Sequence, residues 1–270
     1  STGFSTLRRT ITEHFHSTPT TTGGRNSSPT NGILPIETIS PESLHNLDVF
    51  LLCTTEGPPL SESELTSLKE WVYKKGGALI VSAFSQWSAE GHYAERTVGW
   101  LGIIPNRGAQ FRPKTDYTIQ SPQGTDSTVA IDDETMALVT NGPFGPVNVF
   151  RNIGDSLFRT SLGTSSDNED GAIRNGAVHL VRKIGRYNLE HKGEGLLLFY
   201  PPGGRLTGKR GRILVCSNYH WLADSTYWSG GTFLANDGAQ RRLFLNFVAG
   251  AVASRVQFGG GGGRGVCGSD

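Results

Sequence analysis

Residues 47–81 constrain the fold more tightly than any other part of the chain. Leu47, Val49, Phe50, Leu51, Leu52 and Cys53 make an apolar run interrupted only by Asp48. Such a run has the length and texture of a strand buried on both faces. The turn-forming stretch Thr54-Thr55-Glu56-Gly57-Pro58-Pro59 stops it. Ser61 stands three residues before Glu64, the spacing of a capping box, in which each side chain satisfies the other's free backbone N–H. Leu65, Leu68, Trp71 and Val72 then recur as one apolar stripe. Gly76-Gly77 ends the helix as a left-handed cap would, and Ala78-Leu79-Ile80-Val81 reads as a second buried strand. Strand, helix and strand in this order form a βαβ unit. That unit implies a parallel sheet with helices against both faces.

The flanking sequence extends this pattern. Phe4, Leu7, Ile11 and Phe15 have helical spacing, so residues 4–16 are expected to form an amphipathic helix, followed by a loop over 17–32. A short helix is expected over 93–104. From 105 to about 200, short β-like runs at 117–119, 147–150 and 177–181 alternate with Gly, Pro, Asn and Asp turns. This stretch reads as an antiparallel excursion from the main sheet. Buried strands follow at 196–200 and 213–217, then a helix over 238–253 with Leu243, Phe244, Phe247, Val248 and Val252 on its apolar side. The expected architecture is α/β: a three-layer, doubly wound, mainly parallel, flavodoxin-like sheet in one domain over residues 1–258.

A chain of 270 residues can bury a large core, and its net charge of +1 creates no global field toward nucleic acid or an anionic membrane. No apolar run approaches the roughly 18 residues of a membrane span. Cys53, Cys216 and Cys267 are widely spaced, with no Cys-x-x-Cys pair to suggest zinc or redox chemistry. The histidines show no metal-ligand spacing beyond His14 and His16, which a helix would point to different faces. No cofactor is therefore expected. Cys53 and Cys216, inside apolar runs, read as buried, unbridged and inert. Lys183, Arg186 and Lys192, and again Lys209, Arg210 and Arg212, form local basic clusters of the kind usually found on solvated turns.

Three stretches carry a resemblance. The first is the βαβ unit itself. The second is Leu138-Val139-Thr140-Asn141-Gly142-Pro143-Phe144-Gly145. The third is Gly211-Arg212 leading into Ile213-Leu214-Val215-Cys216-Ser217-Asn218, followed by Asn236-Asp237 and a helix containing Leu243-Phe244-Leu245-Asn246. Together they resemble the class I glutamine amidotransferase-like superfamily, in its non-catalytic type found in intraflagellar transport proteins and uncharacterised bacterial secreted families. The resemblance implies the doubly wound fold. It also implies a first strand ahead of the first helix, which this sequence does not supply before residue 4. Residues 259–263 are five glycines, and Arg264-Gly265-Val266-Cys267-Gly268-Ser269-Asp270 follows. Two readings are open for 259–270: a glycine-rich tail, or a linker plus a circularly permuted first strand lying in the sheet beside 47–53.

Ligands of doubly wound sheets bind at the carboxyl ends of the strands. That rule selects Thr54, Thr55 and Glu56, then Ser82 and Ser85, then Asn218, His220 and Asp224, with Asp270 and Ser1 if the chain is permuted. An amidotransferase needs a cysteine on its strand-to-helix elbow, because thiolate attack and backbone N–H donors carry acyl transfer. The corresponding elbow here, Val81-Ser82-Ala83-Phe84-Ser85, has none and also lacks the Gly-x-Ser-x-Gly pattern. The expectation is therefore a non-catalytic binding or scaffold module, with an unknown protein or carbohydrate as its ligand and no nucleic acid. Trp221, Tyr227, Trp228 and Asn236 are the aromatic and amide residues that could meet a sugar, and Asp237 is a further ligand-binding candidate. The alternative is a hydrolase that uses His220 and Asp224 with Ser82 or Ser85.

Overall fold

The structure is a computed structural model that describes residues 7, 9, 10, 36–54, 60–83, 98–105, 116–118, 133–147, 149–151, 158–159, 171–182, 194–216, 219–222 and 238–259. The helices are α1 (Pro41–Leu44), α2 (Glu62–Lys75), α3 (Asp133–Thr140), α4 (Gly171–Arg174) and α5 (Ala239–Gly259). The strands are β1 (Val49–Thr54), β2 (Ala78–Ala83), β3 (Ile104–Pro105), β4 (Asp116–Thr118), β5 (Val149–Arg151), β6 (Phe158–Arg159), β7 (Val178–Arg182), β8 (Glu194–Tyr200) and β9 (Arg212–Cys216).

The βαβ unit folds as its signals dictate. Ser61 Oγ accepts from Glu64 N at 3.3 Å, and Ser61 N donates to Glu64 Oε2 at 2.9 Å. The other Glu64 oxygen accepts from Ile39 N at 3.3 Å, so the cap also fastens the 36–44 segment to α2. These bonds favour the carboxylate and hold its pKa below the ordinary value, the Ser61 backbone N–H contributing most. Gly76, at φ 76°, closes the helix in the left-handed region, where a side chain would be strained. Leu65, Leu68, Trp71 and Val72 are all buried. Trp71 is 3 % exposed and meets Phe50 edge-on, with ring centroids 6.5 Å apart.

The main sheet is mixed. β1 pairs with β2 and β2 with β9, both in parallel. β8 runs antiparallel to β9, β7 and β6 run antiparallel to β8, and β3 runs antiparallel to β6. Among the described residues, parallel pairing is thus confined to β1, β2 and β9, a smaller share than "mainly parallel" implies. The cause is the connection between β8 and β9. Residues 201–211 contain no helix, and a parallel neighbour needs a longer crossover. β4 and β5 form a separate antiparallel pair.

Among the described residues, each face of the sheet carries a buried apolar cluster. Ala78, Ile80, Leu197, Phe199, Leu214 and Cys216 point into one cluster with Leu243, Phe244, Phe247 and Val248 of α5. The alternate residues Leu79, Val81, Leu198, Tyr200, Ile213 and Val215 point into a second cluster with Leu68, Trp71 and Val72 of α2. This alternation is the two-residue period of a strand expressed as two cores. Leu7, which is helical along with Arg9 and Thr10, packs in the α5-side cluster.

Other expectations are revised. Within the expected 93–104 helix, Val98 is helical and Gly99–Leu101 is a 3-10 turn, followed by β3. Tyr200 Oη donates to Leu101 O at 2.8 Å and holds that turn to β8. Helix α3, inside the stretch read as β-rich, was not anticipated. α5 runs to Gly259, beyond its expected end at 253. β1 and β2 pair along their whole length, so a further strand beside β1 can lie only on its outer edge, not between the two. Residues 264–268, expected to form that strand, lie outside the described residues.

Candidate functional site

Of the residues that the strand-end rule selects, the structure places Thr54 and Ser82 at the carboxyl ends of β1 and β2. In register, Cys53 stands opposite Ser82, and Ser82 opposite Cys216. Ser82 shares the α5-facing side of β2 with Ala78 and Ile80, by strand alternation. Cys216 lies on the same side of β9, buried and not bridged, as expected. After β9 the chain makes a 3-10 turn, Tyr219–Leu222, which carries Trp221 and Leu222 back into the core. Trp221 Nε1 donates to Ser82 Oγ at 3.2 Å across 139 positions of sequence.

This contact decides what Ser82 can do in this conformation. Its side chain is 0 % exposed, and its oxygen accepts from an indole. A serine nucleophile needs a substrate-accessible oxygen with a base within about 2.6–3.2 Å. The chain continues as strand through Ala83, so Ser82 sits within the sheet and not on an exposed elbow. Trp221 is also fully buried; it is a core residue and offers no open ring face to a sugar.

The other candidates are placed less completely. Thr54 ends β1 with its backbone opposite Ala83. His220 has its backbone in the 3-10 turn, one residue before Trp221. Ser1, Thr55, Glu56, Ser85, Asn218, Asp224, Asn236, Asp237 and Asp270 lie outside the described residues. Among the described residues, no group of three His, Cys, Asp or Glu side chains could hold a metal ion. No helix among them is long and apolar enough to cross a membrane.

A second polar centre was missed by sequence reasoning. Asn246, on the buried side of α5, is 1 % exposed. Its Oδ1 accepts from Phe144 N at 3.0 Å, and its Nδ2 donates to Val139 O at 3.2 Å and Gly145 O at 3.0 Å. A side chain at Gly142 would meet Asn246 Cγ at 2.6 Å, so only glycine allows this approach. Arg242 Nε adds a bond to Pro146 O at 3.0 Å. The 138–145 and 243–246 segments, quoted separately above, are two halves of one clasp. The available signal was an amide set among Leu243, Phe244 and Phe247.

Arg212, at the other end of β9, shows the opposite situation. It is 3 % exposed, and Nη2 donates to Ser254 Oγ at 2.6 Å. Nε and Nη1 have no hydrogen-bond partner, and the guanidinium lies against the backbone of Gly250. Burial pushes its pKa down to about 10.

Comparison with known proteins finds no matching family model, no similar curated protein and no similar solved structure.

Proposed function

We propose that this chain is a non-catalytic binding or scaffold module built on a three-layer, flavodoxin-like version of the amidotransferase-like fold. The observation that carries the reading is Ser82. The elbow region has no cysteine, and the nearest hydroxyl is enclosed and bonded to Trp221 Nε1. A side chain held this way locks the end of β9 onto β2. The ligand is a protein or a carbohydrate, and a carbohydrate would have to be met by residues other than Trp221.

The hydrolase alternative is favoured by one observation, the position of the His220 backbone beside the residue that touches Ser82. The test is turnover of glutamine and of p-nitrophenyl esters by the whole chain and by Ser82→Ala, Ser85→Ala and His220→Ala. The module reading expects no turnover above the uncatalysed rate in any of them. Ester hydrolysis abolished by His220→Ala and by one serine variant would establish the hydrolase instead. Ammonia release lost on changing any of the three cysteines would establish an amidotransferase.

A further inference from the structure

The amino-terminal end of the parallel strands, opposite the Ser82 edge, gathers positive charge by a specific packing device. Residues 201–211 fold around Thr207, which is buried. Thr207 Oγ1 donates to Pro201 O at 2.6 Å and accepts from Gly204 N at 3.1 Å, and Thr207 O accepts from Gly211 N at 2.9 Å. Gly203 N donates to Gly208 O at 2.6 Å and closes the loop. The loop then docks on the end of α2, where Gly208 lies against the Tyr73 carbonyl and Gly211 against the Val72 carbonyl, with no room for a side chain at either. A side chain at Gly76 would meet Arg210 Cβ at 2.7 Å. A rigid loop carrying Arg205, Lys209 and Arg210 is thereby fixed beside Lys74 and Lys75, and all five are exposed.

Among the described residues, basic side chains outnumber carboxylates at this end. Glu70 pairs with Lys74 at 2.8 Å, and Asp48 stands at the start of β1. Among the described residues no carboxylate pairs with Lys75, Arg205 or Lys209. Behind the loop, Arg212 adds a buried guanidinium with two nitrogens unpartnered. The whole chain has 25 Lys and Arg against 24 Asp and Glu, so the remainder carries more acid than base. The positive field is therefore short and bounded. A long polyanion such as nucleic acid needs an extended basic surface, which a chain of net charge +1 does not favour, whereas a short acidic segment needs only this patch. Tyr73, 53 % exposed beside Gly208, is one of only two exposed large hydrophobics among the described residues. One such ring suits contact with a peptide better than insertion into lipid.

We propose that the end of α2 and the 201–211 loop form a docking surface for a short Asp/Glu-rich segment of a partner protein. This rests on the module reading above and names its partner class. The test uses a fluorescein-labelled octaglutamate peptide, measured by anisotropy with the full chain at about 25 mM and about 300 mM salt, where screening differs severalfold. Saturable binding is expected at low salt, more than tenfold weaker at high salt. Lys75→Glu/Lys209→Glu should weaken it at least tenfold, while the charge-matched Arg9→Glu/Arg174→Glu should change it less than threefold. Circular dichroism of both variants confirms folding. The proposal is overturned by no saturable binding at low salt, by equal losses in both variants, or by tighter binding of a twenty-nucleotide oligothymidine or of phosphatidylserine vesicles than of the peptide. Failure here leaves the turnover assays untouched, so the docking surface and the module reading stand or fall separately.

Discussion

Asn246 and Arg212 are both buried beneath α5, and the fold treats them differently. Asn246, on the half of the helix near the carboxyl ends of the strands, has three hydrogen bonds to backbone groups of one turn. Arg212, under the other half, has one bond, to Ser254 Oγ, which itself donates to Gly250 O at 2.8 Å. A neutral amide whose partners are complete returns what its burial costs. A guanidinium with bare nitrogens and no carboxylate does not. Burial of polarity by itself therefore says nothing about stability; partner completeness decides the sign.

The largest effect should come from Asn246→Ala. It leaves Phe144 N–H, Val139 C=O and Gly145 C=O without their partner, and should cost about 3–4 kcal/mol in urea unfolding. A cost below about 1 kcal/mol would break the comparison. Next, Gly142→Ala should cost about 2 kcal/mol in the native protein, but less in the Asn246→Ala background, where the contacts with Cγ and Oδ1 are gone and only that with Cβ at 2.9 Å remains. A double-mutant cycle reads the coupling directly, and additivity would show that the two residues do not touch.

Ser82→Ala is an intermediate case. It strips one partner from a buried indole N–H and should cost about 1–2 kcal/mol, with a shift in tryptophan fluorescence from Trp221. The smallest effect, and one of opposite sign, belongs to Arg212→Met. Removing the charge should leave stability unchanged or raise it by about 1 kcal/mol. The pH dependence sharpens this. The folded pKa is depressed to about 10, so the folded state binds this proton less well than the unfolded chain. The penalty is therefore full below pH 10 and is relieved as pH rises through about 10 toward the unfolded value. Urea midpoints at about pH 8 and pH 10.5 should show a relative gain for the native protein that Arg212→Met lacks.

What could be read in advance follows from where each signal lies. The βαβ unit was legible because Ser61, Glu64, the Leu65-to-Val72 stripe and Gly76 act within one or two turns of each other. The antiparallel joining of β8 and β9 was implicit in the helix-free 201–211 connection but was masked by apolar runs that suit either direction. α3 offered only eight residues and a weak stripe, too little to outweigh the turn-rich sequence around it. At the candidate site, the strand-end rule found Ser82, and Trp221 stood out only as a possible sugar-binding aromatic; their contact joins residues 139 positions apart and was not legible. The Asn246 clasp, spanning 102 positions to Phe144, leaves only the faint trace of an amide in an apolar stripe.

The pairing of β2 with β9 also has a kinetic side. The first βαβ unit is complete in sequence by Ala83, yet the inner edge of β2 stays open until the chain through Cys216 exists. Its free N–H and C=O groups, flanked by Leu79, Ile80 and Val81, are a template for any other extended strand in the meantime. Closing that edge pairs Ala78 with Arg212, a non-local contact of the kind that slows folding. During synthesis the hazard would be intermolecular strand pairing, and the protection would be the speed with which the β8–β9 hairpin, nucleated on Thr207, reaches its place.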